Sequence, residues 1–218
     1  MDSSFWHDRW QRQDIGFHQA EVHDLLEAHW PGLKLAAGSS VFVPMAGKSL
    51  DMAWLASQGH NVIANELSEL AVDAFLSSQG LVPAESYSGP FRVKRAAPYE
   101  IWLGDYFALS PAALRTVAAV YDRAALVAMP RTMQAAYAAK LIELVPRAAP
   151  ILLTTLDYDP SEMNGPPFSV PRGEIERLFG ASHQIAEIQR RDALDANPHF
   201  RTRGLTRLQE SAYILRPQ

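Results

Sequence analysis

The sequence predicts a doubly wound α/β domain with a mostly parallel sheet, on three observations. Short apolar runs bounded by turn residues alternate with stretches of helical periodicity, the signature of repeated strand–helix–strand units. The chain has 218 residues, 48% hydrophobic and 20% charged, enough to bury one core without staples. No long helical pattern separates the last two strand-like runs, so the sheet is expected to finish antiparallel.

Residues 1–40 are aromatic-rich and broken by Gly16, Pro31 and Gly38, with a short helical pattern near Val22, Leu25 and Leu26. Val41 to Met45 is an apolar run of the kind that forms a buried strand. Helical spacing at Leu50, Ala53, Trp54 and Ser57 follows, closed by Gly59. A second strand runs from Val62 to Glu66. Ser68 caps the next helix, whose stripe is Leu70, Ala71, Ala74 and Phe75 and whose stop is Gly80. Phe91–Val93 and Tyr99–Trp102 predict two strands around a turn containing Pro98. Val117–Tyr121 predicts another strand, and a helix after Pro130 carries Met133, Tyr137, Leu141 and Leu144. Ile151–Leu156 is a strand, and a loop with Gly165, Pro166 and Pro167 leads to a short helix with Ile175, Leu178 and Phe179. Strand-like runs near Gln184–Ile188 and Leu208–Leu215 complete the chain, which is read as a single domain over 1–218 with 1–40 laid across it.

Composition excludes several chemistries. With no cysteine there are no disulfides, thiolate zinc sites, iron–sulfur clusters or Cys nucleophiles. A formal net charge of −4 disfavours non-specific nucleic-acid binding, which needs a basic face. There is no apolar run of about 18 residues to span a membrane. Met1–Trp6 has neither the basic nor the apolar region of a signal peptide, so a soluble cytoplasmic protein is expected.

Ligands of such sheets bind beyond the C-terminal strand ends, so chemistry is sought there. After the first strand comes Met45-Ala46-Gly47-Lys48-Ser49-Leu50-Asp51. A phosphate-binding P-loop would need glycine where Phe42 stands, and a serine-hydrolase elbow would need glycine in place of Asp51. The three glycines of a dinucleotide fingerprint are missing too. Ala46 and Gly47 still remove side-chain bulk and let a ligand approach the backbone, although a plain tight turn would look the same. Glu66 lies 19 residues beyond Gly47, where an acid can accept hydrogen bonds from both ribose hydroxyls of a nucleoside; a solvated helix-entry acid is the alternative. Asp105, after the Ile101–Leu103 strand, can accept from an exocyclic amine such as adenine's while aromatics flank the ring, or simply form a turn. Asp122 and Arg123 follow the next strand: either the two charges satisfy each other, or Arg123 faces the pocket and stabilises an anion. A loop, an acid and an Asp without a pyrophosphate fingerprint point to a nucleoside cofactor that is not a dinucleotide, with S-adenosylmethionine foremost.

These segments also carry a resemblance. Phe5–Trp10, Ile15–His18, Val43–Asp51, Glu66–Glu69, Tyr121–Leu126, Leu156–Asp159 and Gly165–Val170 together resemble the bacterial thiopurine S-methyltransferases over nearly the whole chain. The resemblance implies a seven-stranded, Rossmann-like class I methyltransferase sheet with an antiparallel C-terminal strand and an N-terminal helical extension. It implies that Trp6, Trp10 and Phe17 belong to a segment closing over S-adenosylmethionine, that Met45 and Gly47 line its methionine side and that Glu66 holds its ribose. It implies Asp105 and Tyr106 near adenine, Arg123 beside both cofactor and acceptor, and Phe17, Pro166 and Pro167 as acceptor walls. Two departures stand out. The usual Leu-Cys pair is Met45-Ala46, and the place of a second acceptor-side arginine falls on His199, with Arg201 and Arg203 as alternatives.

The expected reaction is methyl transfer to an aromatic or heterocyclic thiol, or to a selenium or tellurium acceptor, leaving S-adenosylhomocysteine. No metal is expected: four of seven histidines (His7, His18, His23, His29) crowd the first 30 residues, but no pair has metal-site helical spacing. Aromatic faces at Trp6, Trp10 and Phe17 either attract a sulfonium by cation–π contact or staple the N-terminal segment to the core. A monomer is expected. The rival readings are an NAD-dependent oxidoreductase, which should carry the missing glycines, and a non-catalytic nucleoside sensor.

Overall fold

The computed structural model describes residues 3–16 and 18–218; Phe17 lies outside the described residues. The chain divides into two compact units: residues 1–121 with 144–146, and residues 122–143 with 147–218.

The first unit opens with helices α1 (Ser3–Gln11) and α2 (Asp24–His29). Strand β1 (Ser40–Val43), helix α3 (Leu50–Ser57), strand β2 (Asn61–Glu66) and helix α4 (Glu69–Ser78) follow. Then come β3 (Ala84–Ser88), β4 (Phe91–Ala96), β5 (Tyr99–Leu103) and β6 (Val117–Asp122), whose last residue opens the second unit. Their order is β3-β4-β5-β2-β1-β6. β5, β2, β1 and β6 pair in parallel, whereas β3-β4 and β4-β5 are antiparallel hairpin pairs. The parallel centre reads in sequence as continuous apolar runs because Val41, Phe42, Val62 and Ala64 are fully buried. β1 has β2 on one side and β6 on the other, so strand order reverses there, and the loop after β1 faces the place where such sheets take ligands.

Helix boundaries follow local chemistry. Ser49 caps α3 by accepting from the Asp51 N–H, and Ser68 caps α4 by accepting from Ala71. The buried stripes differ from those expected: Met52 and Leu55 on α3, and Ala71, Val72, Phe75 and Leu76 on α4, while Leu70 is 54% exposed. α3 is apolar nearly all round, so spacing alone does not fix its phase, whereas the stripe of α4 lies opposite the exposed line Glu69, Asp73 and Ser77. Asp51, itself buried, ties the unit together. It accepts from the His23 N–H at 2.9 Å and from the Tyr121 hydroxyl at 3.1 Å.

The second unit contains α5 (Arg131–Leu144, its last residue counted with the first unit), β7 (Ile151–Asp157), α6 (Arg172–Phe179), β8 (His183–Asp192), α7 (Pro198–Thr202) and β9 (Gln209–Pro217). β9 lies between β7 and β8, antiparallel to both, as the expected finish required. Nine strands are present among the described residues rather than seven. Beside them, Tyr158, Met163, Leu194, Phe200, Leu205 and Leu208 form a small apolar cluster. Among the described residues no helix is long and apolar enough to cross a membrane.

Candidate active site

In the first unit, Glu66 at the end of β2 is 6% exposed and is a clamp. Its Oε2 accepts the Gly47 N–H at 2.7 Å, and its Oε1 accepts those of Leu67 at 2.9 Å and Ser68 at 2.8 Å. The 19-residue spacing seen in the sequence is therefore a direct contact between the β1 loop and the end of β2. Burial raises the Glu66 pKa against the pull of these three amides and of His7. The loop itself is bent: Met45 (φ 47°) and Gly47 (φ 57°) are both left-handed. A methyl group on Gly47 would meet the Trp10 ring at 3.3 Å, so α1 rests directly on this loop.

Next to Glu66 lies a cavity of about 420 Å³ lined by His7 and Gln11 of α1, Leu67, Ser68, the start of α4 and Leu103. Asn65 fixes the chain on either side of Leu103 by donating to the carbonyls of Trp102 (2.9 Å) and Gly104 (3.0 Å). Asp105 is exposed and accepts from the Phe107 N–H at 3.0 Å, capping a single 3-10 turn. Tyr106 is 2% exposed and edge-on to Phe107. Trp6 is half-buried, and Trp10 is buried.

This half fits S-adenosylmethionine. A glycine keeps the loop open to close approach, the cavity has leucines for a flat ring, and Glu66 Oε2 has accepting capacity beyond its single amide. Sequence reasoning missed His7, Gln11, Leu67 and Leu103. The two leucines carry a usable signal, since both stand at strand ends; His7 and Gln11 carry none.

In the second unit, Arg123 is partly exposed on a bend whose next residue, Ala124, is left-handed (φ 63°). Asp122 is fully buried and accepts from the Leu126 N–H at 3.2 Å and the Tyr137 hydroxyl at 2.7 Å. Burial raises its pKa to about 6, against Tyr137, Leu126 and Ala125 as donors. The Phe168 N–H donates to the Val127 carbonyl at 2.6 Å, fastening the Pro166-Pro167 segment to the same bend. The Tyr158 hydroxyl holds the Pro167 carbonyl at 2.6 Å, and Arg203 Nη1 donates to the Pro166 carbonyl at 3.1 Å. Arg201 is ion-paired with Asp195, and the His199 ring lies against Phe200 with centroids 4.1 Å apart.

Solved structures share the fold. A 1,6-didemethyltoxoflavin N1-methyltransferase from Burkholderia thailandensis, solved with S-adenosylhomocysteine, is similar with a TM-score of 0.65 at 15% identity, over 98% of this chain and 87% of that one. A methyltransferase dependent on S-adenosylmethionine from Anabaena variabilis gives 0.64 at 12% identity, over 99% and 95%. The fold is that of the class I S-adenosylmethionine-dependent methyltransferases.

The family model for thiopurine S-methyltransferase matches residues 1–218. Thiopurine S-methyltransferases of Methylococcus capsulatus (48% identical over 219 residues, all of this chain and 99% of the relative) and Pseudomonas fluorescens (45% over 216 residues, 99% of each) are similar along their full lengths. The chain belongs to the thiopurine S-methyltransferase family and is an S-adenosylmethionine-dependent methyltransferase.

Proposed function

We propose that the enzyme methylates the sulfur of small aromatic or heterocyclic thiols, with selenols and tellurium compounds as further acceptors. The observation that carries the acceptor reading is the Phe168–Val127 hydrogen bond, which joins a stiff proline wall to the bend bearing a permanent cation. We read the protein as a monomer of the cytoplasm, acting on diffusing small molecules.

When bound, S-adenosylmethionine supplies an electrophilic methyl carbon. Glu66 would accept its ribose hydroxyls, Met45 and Gly47 would leave backbone room on the methionine side, and Leu67 and Leu103 would flank the adenine. Asp105 accepts from the exocyclic amine, with Tyr106 supporting that turn from the core. Trp6 and Trp10 would exclude water from the sulfonium; the role expected of Phe17 falls outside the described residues. Arg123 stabilises the acceptor as a thiolate, so no strong base is required and the proton leaves to water. Arg123 and the Pro166-Pro167 wall would hold the acceptor sulfur oriented for attack. Of the three candidates for a second cation, we assign Arg203, because it alone of them has a hydrogen bond to the proline wall.

Arg123→Ala should lower kcat with 6-mercaptopurine or a thiophenol by about 100-fold while the cofactor Kd stays within about twofold. Unchanged turnover rejects the role. A screen of 6-mercaptopurine, thiophenols and selenite, reading released S-adenosylhomocysteine, tests the acceptor class.

A further inference from the structure

We propose that Asp122 is the positioning residue of the acceptor side: its carboxylate, locked by Tyr137, holds the Arg123–Ala125 bend in shape and, through that bend, the Pro166–Phe168 wall. The inference rests on the role of Arg123 proposed above.

Three features of the second unit carry it. The first is backbone strain placed next to the cation. Ala124 has φ 63°, a left-handed conformation that a residue with a side chain disfavours and that persists only where its surroundings enforce it. The second is the enforcing group. Asp122 Oδ1 accepts from the Leu126 N–H, Ala125 is a further backbone donor to the same carboxylate, and so the carboxylate closes the bend over Arg123 and Ala124. Oδ2 is pinned by the Tyr137 hydroxyl of α5, so the acid cannot swing away. The third is continuity. Leu126 starts the 3-10 turn Leu126–Ala128, and the Val127 carbonyl in that turn receives the Phe168 N–H. One buried acid thus fixes a bend from which the second acceptor element hangs.

Packing alone does not account for a carboxylate here. Asp122 is 0% exposed, and burial disfavours its charge strongly enough to raise the pKa to about 6. The isosteric amide would fill the same space without that cost, but it can accept at only one atom, whereas the carboxylate accepts at both. The groups acting on the carboxylate are the Tyr137 hydroxyl and the amides of Ala125 and Leu126, with Arg123 the neighbouring charge in sequence. The sign is fixed by the raised value. As pH falls through about 6, the acid takes up a proton and loses an accepting oxygen, so the bend loosens on the acid side.

The test compares wild type, Asp122→Asn, Tyr137→Phe and Arg123→Ala in the full-length protein with one thiol acceptor, whose own ionisation cancels in the comparison. Asp122→Asn should lose about 10-fold in kcat at neutral pH with the cofactor Kd within about twofold, and trypsin should cut after Arg123 about 5-fold faster than in wild type. Tyr137→Phe removes a donor that favours the charged acid, so the acid limb of its kcat–pH profile should move to higher pH; this variant serves if Asp122→Asn does not fold. Wild-type turnover and wild-type trypsin resistance in Asp122→Asn, or an unmoved acid limb in Tyr137→Phe, overturns the proposal. If Arg123→Ala loses turnover while Asp122→Asn does not, the Asp122 role alone falls. If Arg123→Ala is fully active, the function reading falls with it.

Discussion

The loop after β1 and the bend after β6 solve the same problem with opposite orientations of one device. Each contains left-handed backbone held by a buried strand-end carboxylate: Met45 and Gly47 beside Glu66, and Ala124 beside Asp122. Glu66 reaches across 19 residues to another strand's loop and keeps 6% of its surface open. Asp122 bends back on its own loop and keeps none. Both carboxylates use both oxygens on the protein, so what separates them is access: Glu66 Oε2, with one amide partner, has a lone pair to spare and some open surface, whereas Asp122 is sealed. In this reading a clamp beside a cavity doubles as a ligand, and a sealed clamp only aims its neighbour.

The comparison breaks if the two clamps are functionally alike. The largest effect is expected for Glu66→Ala, which should weaken cofactor binding about 100-fold by isothermal titration, since hydrogen bonds to a charged group contribute roughly 1.5–3 kcal/mol. A Kd unchanged from wild type would remove Glu66 from the ligand. Gly47→Ala should cost about 10-fold in the same titration and lower the melting temperature, because the added methyl meets Trp10 at 3.3 Å from a left-handed backbone. An affinity at wild-type level would show that the loop relaxes freely. Arg203→Ala should be mildest, raising the acceptor KM about threefold with the cofactor Kd unaltered, as suits one exposed hydrogen bond to Pro166. A change in cofactor affinity instead would move Arg203 to the other side of the comparison.

Most of the fold was legible because buried parallel strands and capped helices leave strong local marks, such as Val41–Val43 and Ser68 before α4. β3 was not legible: all five of its residues are exposed, so no alternation between buried and open positions marks it. α7 is only five residues long, and the cluster around Met163, Leu194 and Phe200 is gathered from separate segments, so neither has a periodicity to read. At the site, the Gly47–Glu66 spacing was informative because it reflects a hydrogen bond. The cavity wall from His7 and Gln11 was not, because it depends on where α1 docks. Asp122 and Arg123 were visible as adjacent charges, but the hold of Tyr137 on Asp122 comes from a helix 15 residues on and has no sequence mark.

All three groups that Glu66 grips are peptide amides, at positions 47, 67 and 68. A grip on the main chain is blind to side-chain identity, so at Leu67 and Ser68 it forbids only proline, the residue without an N–H, while at Gly47 the bend and the ring above add their own restriction. Descendants of this protein can therefore rewrite the letters at Leu67 and Ser68 through neutral drift without loosening the hold between their two strands.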